Sequence, residues 1–349
     1  MNLTPLVTRL SLVCRVCSGH AESVFSVLSW SRFDLCLILV AAAWGSTYLV
    51  AKELIGGGAV LVLLASRMLF AAAALGLLMG LRRRAVTSAE WRVGFVLGLL
   101  LAGIFLLETF GIAHTSATNA GLIISLTIVF TPLLDAAVSK RRLAYRFLLA
   151  SGVAVVGVSL LASNGALQPP ALGDVLVLGA AIIRAVHVTS MHKLTAGRQL
   201  DSMRLTTVQM STCAVVFSVI TLFHGQSVPR YLSRFDLGSA ALFVYLVLVC
   251  TVFAFLVQTW AVRQTSPARV SLLLGTEPVW AAVVGIMIAG DAIGLAGAVG
   301  IILILVGTAW GRAIDQRTHT HEHATARPGD GAAPSERPFQ HLLDRPPIP

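Results

Sequence analysis

Phe105-Leu106-Leu107-Glu108-Thr109 returns 150 positions later as Phe255-Leu256-Val257-Gln258-Thr259, and a Thr-Ser pair follows each copy, at 115–116 and 265–266. Six of the eighteen aligned positions from 105 to 122 are identical, and the two copies occupy matching places in two strongly apolar halves. A duplicated membrane half is typical of secondary transporters, which hold their substrate between the halves near the bilayer midplane. The repeat therefore predicts a duplicated membrane protein with a transport function.

The composition of the whole chain excludes a soluble protein. Of its 349 residues, 56% are hydrophobic and 12% are charged, whereas a soluble domain has roughly 25% charged residues. The net charge of +10 does not indicate nucleic-acid binding, because the Lys and Arg residues fall in short clusters between apolar runs. Such clusters are typical of charges that flank membrane spans, so we expect a lipid bilayer and no nucleic acid as partner.

Ten apolar segments approach the roughly 20 residues that a helix needs to cross a bilayer. The fold class predicted is thus an all-α membrane protein of ten transmembrane helices. The predicted spans are 34–54, 58–80, 93–113, 117–138, 146–163, 173–192, 205–224, 238–262, 268–289 and 294–312.

The Lys and Arg residues predict the orientation of these spans. Alternate loops contain thirteen of them, and the opposite loops contain three. Positively charged loops stay in the cytoplasm, which predicts cytoplasmic N- and C-termini and a multi-pass protein of the cell inner (plasma) membrane. Because each half has five spans, an odd number, the second half enters the membrane with the opposite polarity. The sequence therefore predicts two inverted five-helix repeats.

The predicted spans divide the chain into four regions. Residues 1–32 are expected to be a cytoplasmic leader, since arginines interrupt their apolar run. Residues 33–163 and 172–312 are the two five-helix repeats. Residues 313–349 are rich in Pro, Arg, His and Asp and are expected to be a disordered cytoplasmic tail. No cofactor and no metal site are expected.

Arg184 is the most informative charge, because it lies in the middle of the sixth span. A charge at the bilayer centre costs at least about 2.5–3.5 kcal/mol on insertion scales, so it needs a partner or a function. Arg184 could pair with a carboxylate for packing, or face a cavity and bind an anionic group of a substrate; we favour the second. His187, three residues on, could relay a proton, contact the substrate or simply form a hydrogen bond.

Two glutamates are candidates for carrying a proton. Glu277 precedes Pro278 in the ninth span, and Pro132 marks a similar predicted helix break in the fourth. Alternatively, each proline could only kink its helix. Glu277 could carry a proton or pair with an arginine. Glu108 and Gln258 occupy matched positions of the repeat, and either a functional asymmetry or a hydrogen bond between helices would explain them.

The first two spans contain further polar residues. Arg67 lies near the middle of the second span, where we predict a structural ion pair with a carboxylate. In the first span, Gly45 allows a close approach of helices. Trp44 and Tyr48 are four residues apart, on one face of the helix, and could form the wall of a pocket.

Several of these motifs together resemble the EamA-type members of the drug/metabolite transporter superfamily, over about residues 33–312. Two positions depart from the pattern: Asp291 stands where the family usually has Glu, and Arg184 stands where its sixth span often has Trp. The motifs that carry the resemblance are Trp44–Tyr48, Thr115–Gly121, Gly173-Asp174, Thr265–Arg269, Glu277-Pro278-Val279 and Gly290-Asp291.

The resemblance implies movement of amino acids, related metabolites or other small solutes, commonly coupled to protons. Our hypothesis is a transporter that exports a small polar metabolite, amino-acid-like or an organic anion, in exchange for protons by alternating access. A homodimer is possible. Glu108 or Glu277 would be the protonatable group, and Arg184 would bind the substrate anion. The substrate pocket would be lined by Trp44, Tyr48, His187 and Gln258.

Two other classes remain as alternatives. A regulatory or sensory membrane protein without transport would share the same spans. A membrane-embedded enzyme would need paired catalytic groups, and the sequence has neither an HExxH motif nor paired aspartates within its spans. We therefore predict that the protein is not an enzyme.

Overall fold

The computed structural model describes residues 32–55, 59–81, 85–114, 123–140, 144–162, 172–284, 286–287 and 294–325. Within these residues the regular secondary structure is entirely helical. Residues 1–31 of the predicted leader, residues 326–349 of the predicted tail, the motif at 115–121 and the Gly290-Asp291 loop lie outside the described residues, as does the side chain of Tyr48.

Twelve helices of the described chain are numbered in order, and residues 123–125 and 286–287 are helical as well. Helix α9 contains a π turn at Leu248–Phe253. The helices are α1 (Arg32–Leu54), α2 (Val60–Leu81), α3 (Ser88–His114), α4 (Thr127–Ser139), α5 (Tyr145–Ala162), α6 (Leu172–Thr195), α7 (Ser202–Phe223), α8 (Val228–Leu232), α9 (Leu237–Gln264), α10 (Pro267–Leu274), α11 (Glu277–Val284) and α12 (Leu295–Thr325).

Six of these helices, α1, α2, α3, α6, α7 and α9, are long and apolar enough to cross a membrane. Shorter apolar helices occupy Ile123–Ser139, Tyr145–Leu160 and Leu295–Gly311. The predicted ninth span is divided into α10 and α11. Helix α12 continues to Thr325, past the predicted end of the last span at 312.

The packing of the helices repeats when the two halves are exchanged. In the first half, α3 packs on α6 and α7, and α4 packs on α6. In the second half, α9 packs in the same way on α1 and α2, while α10 and α11 pack on α1. Exchanging the two halves replaces α2 by α7 and α4 by α10, so the contacts α2–α7 and α4–α10 are each unchanged by the exchange. Each half therefore buries its apolar surface mainly against the other half.

Two glycines bring α3 and α7 into close contact. A Cβ atom on Gly94 would lie 2.7 Å from the Cβ of Val208, and one on Gly98 would lie 2.7 Å from the Cβ of Thr212. Glycines four residues apart form one smooth stripe on a helix, which lets a neighbouring membrane helix approach. The contact between the halves thus depends on the absence of side chains at these positions.

Gly98→Ala is therefore expected to lower the free energy of unfolding by about 1–3 kcal/mol, the usual cost of overpacking. Gly76→Ala in α2 is the matched control, since a Cβ there meets nothing within 4 Å. Thermal unfolding of both variants in one detergent measures the difference. Equal unfolding temperatures for the two variants would contradict the close packing of α3 on α7.

The two predicted helix breaks have different outcomes. Helix α4 continues through Pro132, so the predicted break there is wrong; the chain turns instead at Leu126. Proline removes one backbone hydrogen bond without ending this helix. In the ninth span α10 ends at Leu274 and α11 begins at Glu277, so the interruption lies just before Pro278. Proline is well tolerated in the first turn of a helix.

The segment between α7 and α9 is anchored by side-chain hydrogen bonds. The hydroxyl of Tyr231 in α8 donates to the carbonyl of Leu54 at 2.7 Å, and burial raises the pKa of Tyr231 to about 12. Asp236 caps α9 by accepting from the amide of Ser239 at 2.8 Å. This hydrogen bond lowers the pKa of the exposed Asp236.

Two ion pairs join helices near their N-terminal ends. Arg269 donates to the fully buried Asp34 through Nε at 2.9 Å and Nη2 at 2.7 Å, which connects α1 to α10. Arg204 lies 3.0 Å from Glu90, whose carboxylate also accepts from the amides of Thr87 and Asp201. Each buried carboxylate is thus compensated by a charged donor, as burial requires.

Asp34→Asn is expected to destabilise the protein by about 3–5 kcal/mol, because the Arg269 guanidinium keeps its charge and loses this carboxylate. The double variant Asp34→Asn/Arg269→Gln should lose less than the single variant, since neither charge remains. Asp236→Asn changes a carboxylate at an exposed helix cap and serves as the control. The comparison is made by thermal unfolding; a double variant less stable than Asp34→Asn would contradict the expectation.

Candidate functional site

Arg184 lies between two carboxylates from different helices. Its Nη2 is 3.6 Å from Oε2 of Glu108 in α3, and its Nη1 is 3.5 Å from Oε2 of Glu277 in α11. These distances are within ion-pair range but exceed the roughly 2.7–2.9 Å of a tight charged hydrogen bond. The structure therefore brings three of the predicted residues together through two ion pairs.

Trp44 packs against the same guanidinium. The Cζ of Arg184 lies 5.1 Å from the centroid of the Trp44 ring, within the range of a cation–π interaction. Trp44 and Arg184 also occupy equivalent positions of the repeat. Trp44 lies ten residues after Asp34, and Arg184 lies ten residues after Asp174. Matching positions of α1 and α6 thus meet in this contact.

Gln258 presents a buried acceptor to the same place. Its side chain is 2% exposed, and its Oε1 has no hydrogen-bond partner among the residues that the structure describes. A buried polar atom of this kind needs a partner, and a ligand or water in the pocket could supply one. Gln258 lines a pocket together with Ile124, Ser125, Thr127, Ile128, Arg184, Val188, Ser271, Leu274, Gly275 and Glu277.

The size of this pocket limits what it can hold. The empty space between its side chains is about 370 Å³, including the part that opens to solvent. A molecule bound in this conformation must therefore be small. The lining is mainly apolar and includes a guanidinium, a carboxylate, an amide and three hydroxyls, which is the general composition of small-molecule pockets.

Neither His187 nor Arg67 lines this pocket. His187 is buried and contacts Gln209 of α7, with Nε2 3.0 Å from Oε1, so it does not line this pocket. Arg67 donates from Nε to the hydroxyl of Thr251 at 2.6 Å and from Nη2 to the carbonyl of Cys250 at 3.4 Å. No carboxylate of the described chain lies within 4 Å of Arg67, so the predicted ion pair there is replaced by neutral hydrogen-bond acceptors.

Two carboxylates share one guanidinium in this cluster. Arg184 lies within 4 Å of both Glu108 and Glu277. Of the two carboxylates, Glu108 is the more exposed, at 14% against 7% for Glu277. It is therefore the more accessible to solvent and to solutes.

Each carboxylate corresponds to a neutral polar residue in the other half. Glu108 corresponds to Gln258 in the repeat, and the same spacing of 150 residues places Thr127 opposite Glu277. Thr127 is buried and lines the pocket, and its hydroxyl donates to the carbonyl of Ile124 at 2.6 Å. Thr127 was not predicted as a site residue, although the spacing of the repeat is the signal that indicates it.

Within the part of the chain that the structure describes, no three His, Cys, Asp or Glu side chains lie together as a metal site. Two copies of a helical domain around a buried charged pocket define a class: a duplicated, multi-pass membrane transporter. Residues 31–163 and residues 171–310 each match the EamA-like transporter family, and the chain belongs to that family.

Two individual proteins are similar to this chain. An uncharacterized transporter from Archaeoglobus fulgidus is 27% identical over 195 residues, an alignment that covers 53% of this chain and 64% of that protein. The match therefore spans just under two thirds of the relative. A solved structure described as a crystal structure of a protein has a TM-score of 0.68 and 17% identity, covering 83% of this chain and 99% of that one. This second likeness concerns the fold alone.

Proposed function

We propose that this protein exports a small polar metabolite, amino-acid-like or an organic anion, in exchange for protons by alternating access. The observation that carries the proposal is the position of Arg184, which lies between Glu108 and Glu277 and, together with Glu277, lines a pocket formed by helices of both halves. A transporter that alternates between two states needs its binding site at the interface that rearranges.

The proposed topology is ten spans in two inverted five-helix repeats, with both termini in the cytoplasm and the protein in the inner membrane. It is supported by the thirteen Lys and Arg residues in alternate loops against three in the others. The equivalent helix–helix contacts that the two halves make also support this topology. Under this topology, α10 and α11 together form the ninth span.

The site provides a way to couple substrate and proton. The Arg184 guanidinium would bind the substrate's anionic group, while an ammonium group would bind the carboxylate of Glu108. A proton bound to an oxygen of Glu108 removes its negative charge, so ammonium and proton compete for the same carboxylate. Competition of this kind produces exchange, in which solute and proton cross in opposite directions. Gln258 Oε1 would accept a hydrogen bond from the substrate.

The same reasoning separates the two candidate substrates. An organic anion without a cationic group would compete with the Glu108 carboxylate for Arg184, and protonation of Glu108 would then promote anion binding. Anion and proton would cross together. An amino-acid-like solute would cross against the proton. Because the proposal is exchange, it favours a substrate that has both an anionic and a cationic group.

The experiment uses purified protein in liposomes with an imposed pH gradient. Amino acids, nucleosides and small organic anions are screened as radiolabelled solutes, with protein-free liposomes and a protonophore as controls. The proposal expects gradient-driven flux of at least one zwitterionic solute, lost when the gradient is dissipated. Flux that does not depend on the pH gradient, or no flux of any screened solute, would contradict the proposal.

A further inference from the structure

The π turn of α9 changes the hydrogen bonding of one carbonyl. In an α-helix the amide of Ala254 would donate to the carbonyl of Cys250, four residues earlier. Here the amide of Ala254 contacts the carbonyls of Thr251 and Val249 instead. The carbonyl of Cys250 is thereby available to donors from other helices, which is a common use of π turns at functional sites.

Two buried side chains donate to this carbonyl. Trp44 of α1 donates through Nε1 at 3.1 Å, and Arg67 of α2 donates through Nη2 at 3.4 Å. Trp44 is 5% exposed and Arg67 is 6% exposed. A carbonyl oxygen has two lone pairs, so it can accept from both. The indole that packs on Arg184 and the guanidinium of Arg67 are therefore bound to the same atom.

Further contacts hold Arg67 and the π turn together. The hydroxyl of Thr251 accepts from Nε of Arg67 at 2.6 Å and donates to the carbonyl of Leu246 at 2.7 Å. The thiol of Cys250 donates to the carbonyl of Ala43 at 3.2 Å, next to Trp44. All of these groups are buried, where satisfied hydrogen bonds make a structure rigid.

A series of aromatic rings in contact lies between Arg67 and Arg184. Arg67 lies over Phe105 at 5.0 Å, and Phe105 lies 5.6 Å from Phe255. Phe255 lies 5.2 Å from Trp44, on whose ring Arg184 packs. Phe105 and Phe255 are the matched first residues of the sequence repeat. Two arginines, one from each half, thus lie at the ends of one series of tilted aromatic rings in contact.

We propose that Arg67 is a positioning residue for the transport site. Together with the π turn it fixes the indole of Trp44, and the indole in turn holds the guanidinium of Arg184 between its two carboxylates. The effect of Arg67 on transport rests on the proposed function. The effect of Arg67 on Trp44 does not rest on it, and separate measurements test the effect on Trp44 and the effect on transport.

The first measurement is ¹⁹F NMR of protein labelled with 5-fluorotryptophan, without any solute. The chain has six tryptophans, and the Trp44 signal is assigned by its loss in Trp44→Phe. Arg67→Lys keeps the charge but loses the forked donor geometry. It is expected to shift or broaden the Trp44 signal beyond its line width while the signals of the other tryptophans stay in place.

A second variant covers the case in which Arg67→Lys does not fold. Thr251→Val removes the acceptor of Arg67 Nε at nearly constant volume and is expected to disturb the same Trp44 signal. Thr221→Val is the matched control, because its buried hydroxyl bonds the carbonyl of Leu61, away from the π turn. An unchanged Trp44 signal in both test variants would overturn the proposal, as would a change spread over all the tryptophans.

The second measurement is the KM for a solute that the flux screen identifies. Arg67→Lys is expected to raise this KM roughly tenfold, the scale of one desolvated cation–π contact. In a Trp44→Phe background, which lacks the Nε1 donor, Arg67→Lys should add nothing. An equal loss in both backgrounds would overturn the proposal. If no solute is transported, the proposed function fails, while the NMR result still decides the role of Arg67.

Discussion

Arg184→Ala is expected to abolish solute flux driven by a pH gradient and to destabilise the protein. The substitution leaves the carboxylates of Glu108 and Glu277 buried without the guanidinium that lies within 3.6 Å of each. Removing one partner of a buried ion pair costs about 3–5 kcal/mol. The substrate's anionic group would also lose its binding partner. Flux into liposomes and thermal unfolding measure the two effects.

The controls separate loss of function from loss of folding. Arg198→Ala removes an arginine from an exposed connection and should leave both measurements unchanged. Combining Arg184→Ala with Glu108→Gln and Glu277→Gln removes all three charges, which should recover most of the stability but none of the flux. Flux at the level of the unmodified protein in Arg184→Ala would show that Arg184 does not bind the substrate.

Glu108→Gln is expected to uncouple transport from the pH gradient. The glutamine matches Gln258 in the other half and cannot carry the proton that the proposal assigns to Glu108, while Glu277 remains beside Arg184. Accumulation driven by the gradient should fall to the level of protein-free liposomes. Exchange of labelled for unlabelled solute should persist with a higher KM, because an amide oxygen binds an ammonium group less strongly than a carboxylate does.

The matched control is Glu53→Gln, which neutralises an exposed carboxylate near the end of α1. It should accumulate solute like the unmodified protein. Gradient-driven accumulation in Glu108→Gln would assign the proton to another group, with Glu277 as the next candidate. Loss of exchange as well as accumulation would mean that Glu108 is needed for substrate binding rather than for coupling.

The placement of the helices and the members of the central site could be predicted from the sequence for physical reasons. A bilayer demands long apolar helices, so hydropathy indicates where they lie. A charge in the middle of such a helix needs compensation, so Arg184, Glu108 and Glu277 could be recognised as possible partners before their distances were known. The repeat indicated that Glu108 and Gln258 occupy matched positions of the two halves.

Which side of each helix faces a neighbour could not be predicted in the same way. His187 follows Arg184 by three residues, yet that rotation directs it to Gln209 of α7 instead of to the pocket. Arg67 was expected to meet a carboxylate, but a carbonyl of the π turn takes that place. Such a turn arises from tertiary hydrogen bonds and leaves no periodic pattern. The Asp34–Arg269 pair likewise joins residues 235 positions apart.

The most direct test of the account records the direction of proton movement during transport of an amino-acid-like solute found in the screen. A pH-sensitive dye is trapped in proteoliposomes, and solute is added outside without an imposed gradient. Exchange through the Arg184 site predicts that solute uptake makes the lumen alkaline and that Arg184→Ala abolishes both signals. Acidification of the lumen, or solute uptake with no proton movement, would contradict proton exchange at this site.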